Sequence, residues 1–241
     1  MMDKAIVKFK ELRLKNCALN FEEVMKYSDQ NNLSTLQTIE RLLDIEIACR
    51  EKARIALRFK QSKLGEKTTI DQFDFTHHES RRKAKSRILS MVDLEFIHDK
   101  KDIICIGNPG TGKTFLSRCI AYEATQAGIK TLFTTAVDMI NQLVAAKQDH
   151  TLLKKLNYYQ SQDLLVCDEI GYLPLGKQGS NLFFQVISAR HEKKSTIITT
   201  NLPFAKWGEI FDGTTVATAI ADRLVYNSEI FIMEGKSYRK R

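Results

Sequence analysis

Eight residues near the middle of the chain constrain the fold more than any other feature. Gly107-Asn108-Pro109-Gly110-Thr111-Gly112-Lys113-Thr114 fits the spacing G-x-x-x-x-G-K-[ST]. It follows an apolar run, Ile103–Ile106, and opens an amphipathic stretch, which is the strand–loop–helix setting this loop requires. Glycines let the backbone curl so that its N–H groups face phosphate oxygens. The helix start adds the positive end of its dipole. Lys113 can reach the outer phosphates of ATP, and the Thr114 hydroxyl can hold Mg²⁺. Phe115, the next residue, is counted with the loop as nucleotide-contacting.

A second apolar run, Leu164-Leu165-Val166-Cys167, ends in Asp168-Glu169. A buried strand ending there would deliver Asp168 to the carboxyl edge of a sheet, where ligands bind in open α/β folds. Asp168 would hold Mg²⁺, directly or through water, and Glu169 would orient or deprotonate an attacking water. A third run, Thr196–Thr200, ends in Asn201. If that strand lies beside the first, Asn201 sits near the γ-phosphate; an Asn closing a strand is equally an ordinary turn residue. With Thr131–Thr135 and Ile230–Met233, five short apolar runs alternate with helical patterns. The expected fold class is α/β, a mainly parallel five-stranded sheet flanked by helices.

Ahead of this core lie 65 residues with helical signals. Asn20 with Glu23, and Ser34 with Gln37, fit capping boxes. Leu36, Ile39, Leu43 and Ile47 recur at helical spacing and predict an apolar face that closes a small bundle. We expect three segments: a helical module over 1–65 that binds DNA or a partner, a linker over 66–78, and the nucleotide-binding domain over 79–241. Net charge is +8, from 37 Lys and Arg against 29 Asp and Glu, which points to a polyanionic partner. The Arg50, Arg54, Arg58 stripe and the Arg81, Arg82, Lys83, Lys85, Arg87 cluster are candidate duplex-DNA contacts; each also reads as a solvated helix face. Five cysteines without C-x-x-C pairing predict reduced thiols, and the histidines lack zinc spacing. No apolar run approaches the roughly 18–20 residues of a membrane span, and the first 15 residues carry no secretory core.

The set GNPGTGKT, LLVCDEIGYLP, ITTNLPFAKW, ADRLV and GKSYR resembles the IstB/DnaC branch of the AAA+ ATPases. The early LRLK and the later IERLLDIEIACREKAR resemble IstB-type transposition helpers more than DnaC-type helicase loaders. The likeness covers nearly the whole chain. It implies a cytoplasmic, Mg²⁺-dependent ATPase, stimulated by DNA and by self-association into rings or helical oligomers. It also implies duplex DNA and the transposase of the same element as partners. By the same likeness, Asn201 is the first sensor, Arg223 the arginine finger offered to a neighbouring subunit, and Arg239 the second sensor. Arg190, on the helix before the sensor strand, is the rival finger. A helicase loader remains the alternative. A small-molecule kinase is disfavoured, because no acceptor pocket or arginine-bearing lid is evident and Glu169 favours water as nucleophile.

Overall fold

The computed structural model describes residues 2–238. Backbone packing divides the chain into two compact units, Met1–Leu57 and Arg58–Arg241.

The first unit is built from α1 (Met2–Glu11), α2 (Lys15–Gln30) and most of α3 (Thr35–Ser62). Ser34 and Gln37 form the expected capping box: the Ser34 N–H donates to Gln37 Oε1 at 2.8 Å, and the Gln37 N–H to Ser34 Oγ at 3.3 Å. Asn20 does not cap. It lies inside α2 and donates to the Asn16 carbonyl. The start of α2 is instead satisfied across the bundle, where the Asn16 and Cys17 N–H groups donate to the buried Glu46 carboxylate at 2.7 and 3.0 Å. The small core holds Cys17, Val24 and Leu42, with Phe9 and Phe21 against it. That arrangement corrects the predicted face of α3. Its buried side is Thr38, Leu42 and Glu46, whereas Leu36, Ile39, Leu43 and Ile47 are exposed. Periodicity identifies a stripe but not which stripe wins, and the capping demand of α2 selects the one that carries Glu46.

The second unit opens with a 3-10 turn, Ile70–Gln72, then α4 (Glu79–Val92) and the short α5 (Glu95–His98). There follow β1 (Asp102–Gly107), α6 (Lys113–Gln126), β2 (Thr131–Thr135), α7 (Ala136–Gln148), α8 (Leu152–Gln160), β3 (Leu164–Ile170) and α9 (Gly176–Arg190). β4 (Ser195–Thr200), a 3-10 helix over Phe204–Glu209, α10 (Thr214–Val225) and β5 (Ser228–Met233) complete it. The sheet has the order β2-β3-β4-β1-β5, and every pairing is parallel. Side chains alternate between two apolar layers. Ile104, Leu165, Cys167 and Ile198 pack on the face covered by α7–α10. Ile103, Cys105, Val166, Ile197 and Phe231 pack on the face covered by α6 and the segment before it. Each fully buried Ile or Leu contributes about 1.5–3 kcal/mol, and β1 is buried over Ile103, Ile104 and Cys105. The phosphate loop therefore leaves a rigid central strand.

Residues 66–78 are not a spacer between units. The boundary falls at Leu57/Arg58, and Phe73, with Ile70 and Phe75 beside it, belongs to the apolar layer that contains α6 residues Leu116 and Ile120. Phe73 is buried there, with Ile70 and Phe75 half-buried beside it, so this stretch covers apolar surface of α6.

Candidate active site

Sheet order sets the site. β4 pairs with both β1 and β3, so the strand leading into Asn201 runs between the one feeding the loop and the one carrying Asp168. The condition attached to Asn201 in the sequence, adjacency to the first strand, is met, and Asn201 is exposed just beyond β4.

At the loop, Lys113 Nζ donates to the Gly107 and Asn108 carbonyls at 2.6 and 2.9 Å. Thr114 Oγ1 donates to Asp168 Oδ1 at 3.0 Å. Asp168 is 3% exposed, and it also accepts a hydrogen bond from Thr199 Oγ1 on β4. That same Thr199 oxygen accepts the Glu169 N–H at 3.0 Å. The β3–β4 register shifts between Cys167 and Ile170, and Glu169 sits there at φ 61° with its side chain exposed. A bulge of this kind re-aims a side chain. Here it lets two consecutive carboxylates serve different purposes, Asp168 buried against Thr114 and Glu169 facing solvent. Thr199 carries no sequence signal, since a Thr in a strand is unremarkable, and reasoning from motifs missed it.

Glycines in the loop meet neighbours from far along the chain. A Cβ on Gly107 would lie 2.0 Å from the Met233 carbonyl oxygen, and one on Gly110 would lie 2.1 Å from Ser237 Oγ. The Tyr238 N–H donates to the Gly110 carbonyl at 2.9 Å. Beside the loop opens a cavity of about 360 Å³, walled by Gln72, Phe73, Asp74, Arg81, Phe115 and Tyr238 along with loop residues. Its size suits a nucleoside. The sequence pointed to Phe115 alone in this wall; Phe73 and Tyr238 come from segments well before and far after the phosphate loop.

Other expected residues are placed less simply. Arg190 is no arginine finger. It is 1% exposed, and its guanidinium donates to the Tyr159, Gln160, Gln162 and Ser195 carbonyls and to Thr196 Oγ1. Arg223 is partly buried on α10, where its Nη1 donates to the Ala219 carbonyl and its guanidinium lies 4.6 Å from the Phe184 ring centroid. Arg239 lies outside the described residues. Arg81 is 3% exposed and is therefore not a duplex-DNA contact. Arg82 is exposed, Lys83 pairs with Glu79 at 2.9 Å, and Arg87 pairs with Glu229. In the first unit Arg50 pairs with the buried Glu46 at 2.7 Å, and Arg54 lies 3.8 Å from Glu51. Burial pushes the Cys105 thiol up to about 12 and raises that of Cys167 as well. Among the described residues no group of three or more His, Cys, Asp and Glu side chains could hold a metal, and no helix is long and apolar enough to cross a membrane.

The model of the IstB-like ATP binding protein family matches residues 7–241. The chain belongs to that family. Its relatives sit in insertion sequences. It is 40% identical to a protein named for ATP binding in insertion sequence IS5376 of Geobacillus stearothermophilus, over 95% of this chain and 91% of that one. It is 33% identical to a protein so named in IS21 of Pseudomonas aeruginosa, over 99% and 89%. Solved structures agree on the fold. The DnaC helicase loader superposes with a TM-score of 0.60 at 24% identity, covering 69% of this chain and 97% of that one. AMPPCP-bound DnaA from Aquifex aeolicus superposes at 0.59 and 22%, covering 73% and 53%. This IstB-like chain thus shares the fold of these proteins, a parallel five-stranded sheet flanked by helices, with a helical N-terminal region before it.

Proposed function

We propose that the chain is a Mg²⁺-dependent ATPase that serves a mobile element. It would assemble head-to-tail with ATP, bind duplex DNA and direct the transposase of the same element to its target. The observation that carries the hydrolytic part is the convergence of Thr114, Asp168 and Thr199, with Glu169 and Asn201 at the adjacent strand ends. Thr114 and Asp168 offer hard oxygen donors 3.0 Å apart, a donor set that suits Mg²⁺. The metal, when bound, neutralises charge on the β- and γ-phosphates. Lys113 would exchange its two loop carbonyls for phosphate oxygens, and Asn201 would hold the γ-phosphate or the attacking water. Glu169 would take the proton from that water. The base would enter the cavity beside Phe73 and Tyr238, and Arg239 would follow the γ-phosphate from the C-terminal end.

Arg223 would leave its contact with Phe184 to reach a neighbour's nucleotide, an addition worth about 10³–10⁵ in rate in other nucleotidases. Because such an interface is heterologous, it builds rings or helical filaments. The insertion-sequence setting of the relatives supports a transposase as the protein partner. A cytoplasmic location follows from the same reading.

Glu169→Gln is the deciding variant. It should bind ATP and lose hydrolysis, and in the presence of ATP it should recover a transposase from the native cell. Wild-type turnover by Glu169→Gln would remove the proton-acceptor role. Recovery of a replicative helicase would overturn the transposition role.

A further inference from the structure

Arg81 is a cation that the hydrolytic machinery does not use. It stands in the first turn of α4, 3% exposed. Its Nη2 donates to the Thr111 carbonyl of the P-loop at 2.6 Å, and its Nη1 donates to the Asp74 carbonyl, in the cavity wall, at 2.9 Å. The guanidinium lies 4.7 Å from the Phe73 ring centroid and 5.7 Å from that of Tyr238. Its buried Nε has no hydrogen-bond partner among the described residues. No carboxylate lies within ion-pair distance of it among those residues. Gly112 makes the room: at φ 92°, a Cβ there would lie 2.6 Å from Arg81 Nη2. The loop and the arginine are fitted to each other.

A buried charge is costly: burial lowers the Arg81 pKa from its ordinary value, and the charge of the Asp74 carboxylate offsets this only in part. Two features of the placement compensate at this one spot. The guanidinium fork ties the P-loop to the opposite cavity wall, which a point charge cannot do. It also adds a fixed positive charge to the cavity that Lys113 lines, where a polyphosphate would arrive.

We infer that Arg81 is a positioning residue for the phosphate chain of the nucleotide: it holds the P-loop open in the shape that accepts polyphosphate and supplies a positive charge beside it. This rests on the nucleotide reading of the site. It makes a prediction that a base contact would not, namely that Arg81 matters equally for ligands with and without a base.

The test measures dissociation constants of the full chain for Mg-ATP by calorimetry, and for inorganic tripolyphosphate by competition against a fluorescent ADP analogue. Wild-type, Arg81→Met and Arg81→Lys proteins are compared. Arg81→Met should weaken both ligands by the same factor, between tenfold and a hundredfold. Arg81→Lys, which keeps charge and loses the fork, should fall between Arg81→Met and wild type for both. Unchanged affinities would overturn the inference. So would a loss confined to Mg-ATP, which would make Arg81 a base contact. Should Arg81→Met lose its cooperative thermal transition, Arg81→Lys alone decides, with wild-type affinity as the refuting result. Wild-type protein that binds no ATP would sink the nucleotide reading itself, a failure distinct from any of these.

Discussion

Thr199→Val tests the site through a residue that no motif marks. The substitution is nearly isosteric and removes one hydroxyl that makes two bonds, as donor to Asp168 Oδ1 and as acceptor from the Glu169 N–H. Thr199 is 1% exposed and Asp168 is 3% exposed, so water cannot replace the lost group. A hydrogen bond to a charged group is worth about 1.5–3 kcal/mol. At about 1.4 kcal/mol per factor of ten, its loss from an aligned transition state lowers kcat roughly 10- to 100-fold. Glu169 is affected too, because its backbone is held at the bulge by the same oxygen. Nucleotide affinity without metal should change little, since Lys113 and the loop amides are untouched. Phosphate release at saturating Mg-ATP gives kcat, and calorimetry with ADP in chelator gives the affinity. Thr199→Ser should recover most of the rate. A kcat within twofold of wild type for Thr199→Val, or a Ser variant as slow as the Val variant, would refute the reasoning.

Gly107→Ala should unfold at lower temperature and bind ATP poorly, because its Cβ would lie 2.0 Å from the backbone oxygen of Met233; a differential melting curve with unchanged midpoint would contradict that. Arg190→Met strands carbonyls of Tyr159, Gln162 and Ser195 and should cost about 3–5 kcal/mol of folding stability, read by urea denaturation. Arg223→Ala should be inactive alone yet regain phosphate release when mixed with Lys113→Ala, because each subunit type supplies what the other lacks; no regain on mixing removes the role in trans. Burial raises Asp102 from 3.8 to about 7, against the Thr196 N–H and Arg190, which pull it down. A raised carboxyl binds more protons folded than unfolded, so its contribution is fully present below pH 4 and is lost as pH rises toward 7. Asp102→Asn should flatten that part of the stability–pH curve, and an unchanged slope in urea melts would exclude Asp102 as its source.

The sheet and the phosphate half of the site were legible because both rest on local patterns. Apolar runs bounded by helices give parallel strands, and the P-loop spacing reflects what a backbone needs to surround a phosphate. All five expected runs became strands, each within three residues of its observed bounds. What escaped detection depends on contacts between distant segments. Phe73, Arg81 and Tyr238 meet at the loop from three separate stretches, and no spacing rule connects them. Arg81 sat in a basic cluster and resembled a solvated face, since charge alone does not show which cation of a cluster turns inward. The α3 stripe failed for a related reason. A helix can carry two plausible faces, and the partner that chose between them, the open N-terminus of α2, lies on the preceding helix.

Charge distribution bears on where DNA would be held. Up to Leu57 the chain carries ten Lys and Arg against nine Asp and Glu, and from Arg58 onward 27 against 20. The excess that motivates DNA binding therefore belongs almost entirely to the second unit, although candidate contacts were expected in both and the helical module was expected to bind DNA or a partner. Pairing of Arg50 with Glu46 removes one further charge from the N-terminal stripe. Electrostatic affinity for duplex DNA scales with the number of phosphates neutralised, and each contact adds about 0.9 to the slope of log K against log salt. Neutralising Arg82 and Lys85 together should thus lower that slope by about 1.8 if both touch phosphates, while neutralising Lys52 and Arg54 together should leave it unchanged. Filter binding across a salt series at saturating ATP, with the Glu169→Gln background to hold the nucleotide state, separates the two. A slope that falls only with the N-terminal pair would return the DNA grip to the helical unit and leave the second unit's charge to the nucleotide and the neighbouring subunit.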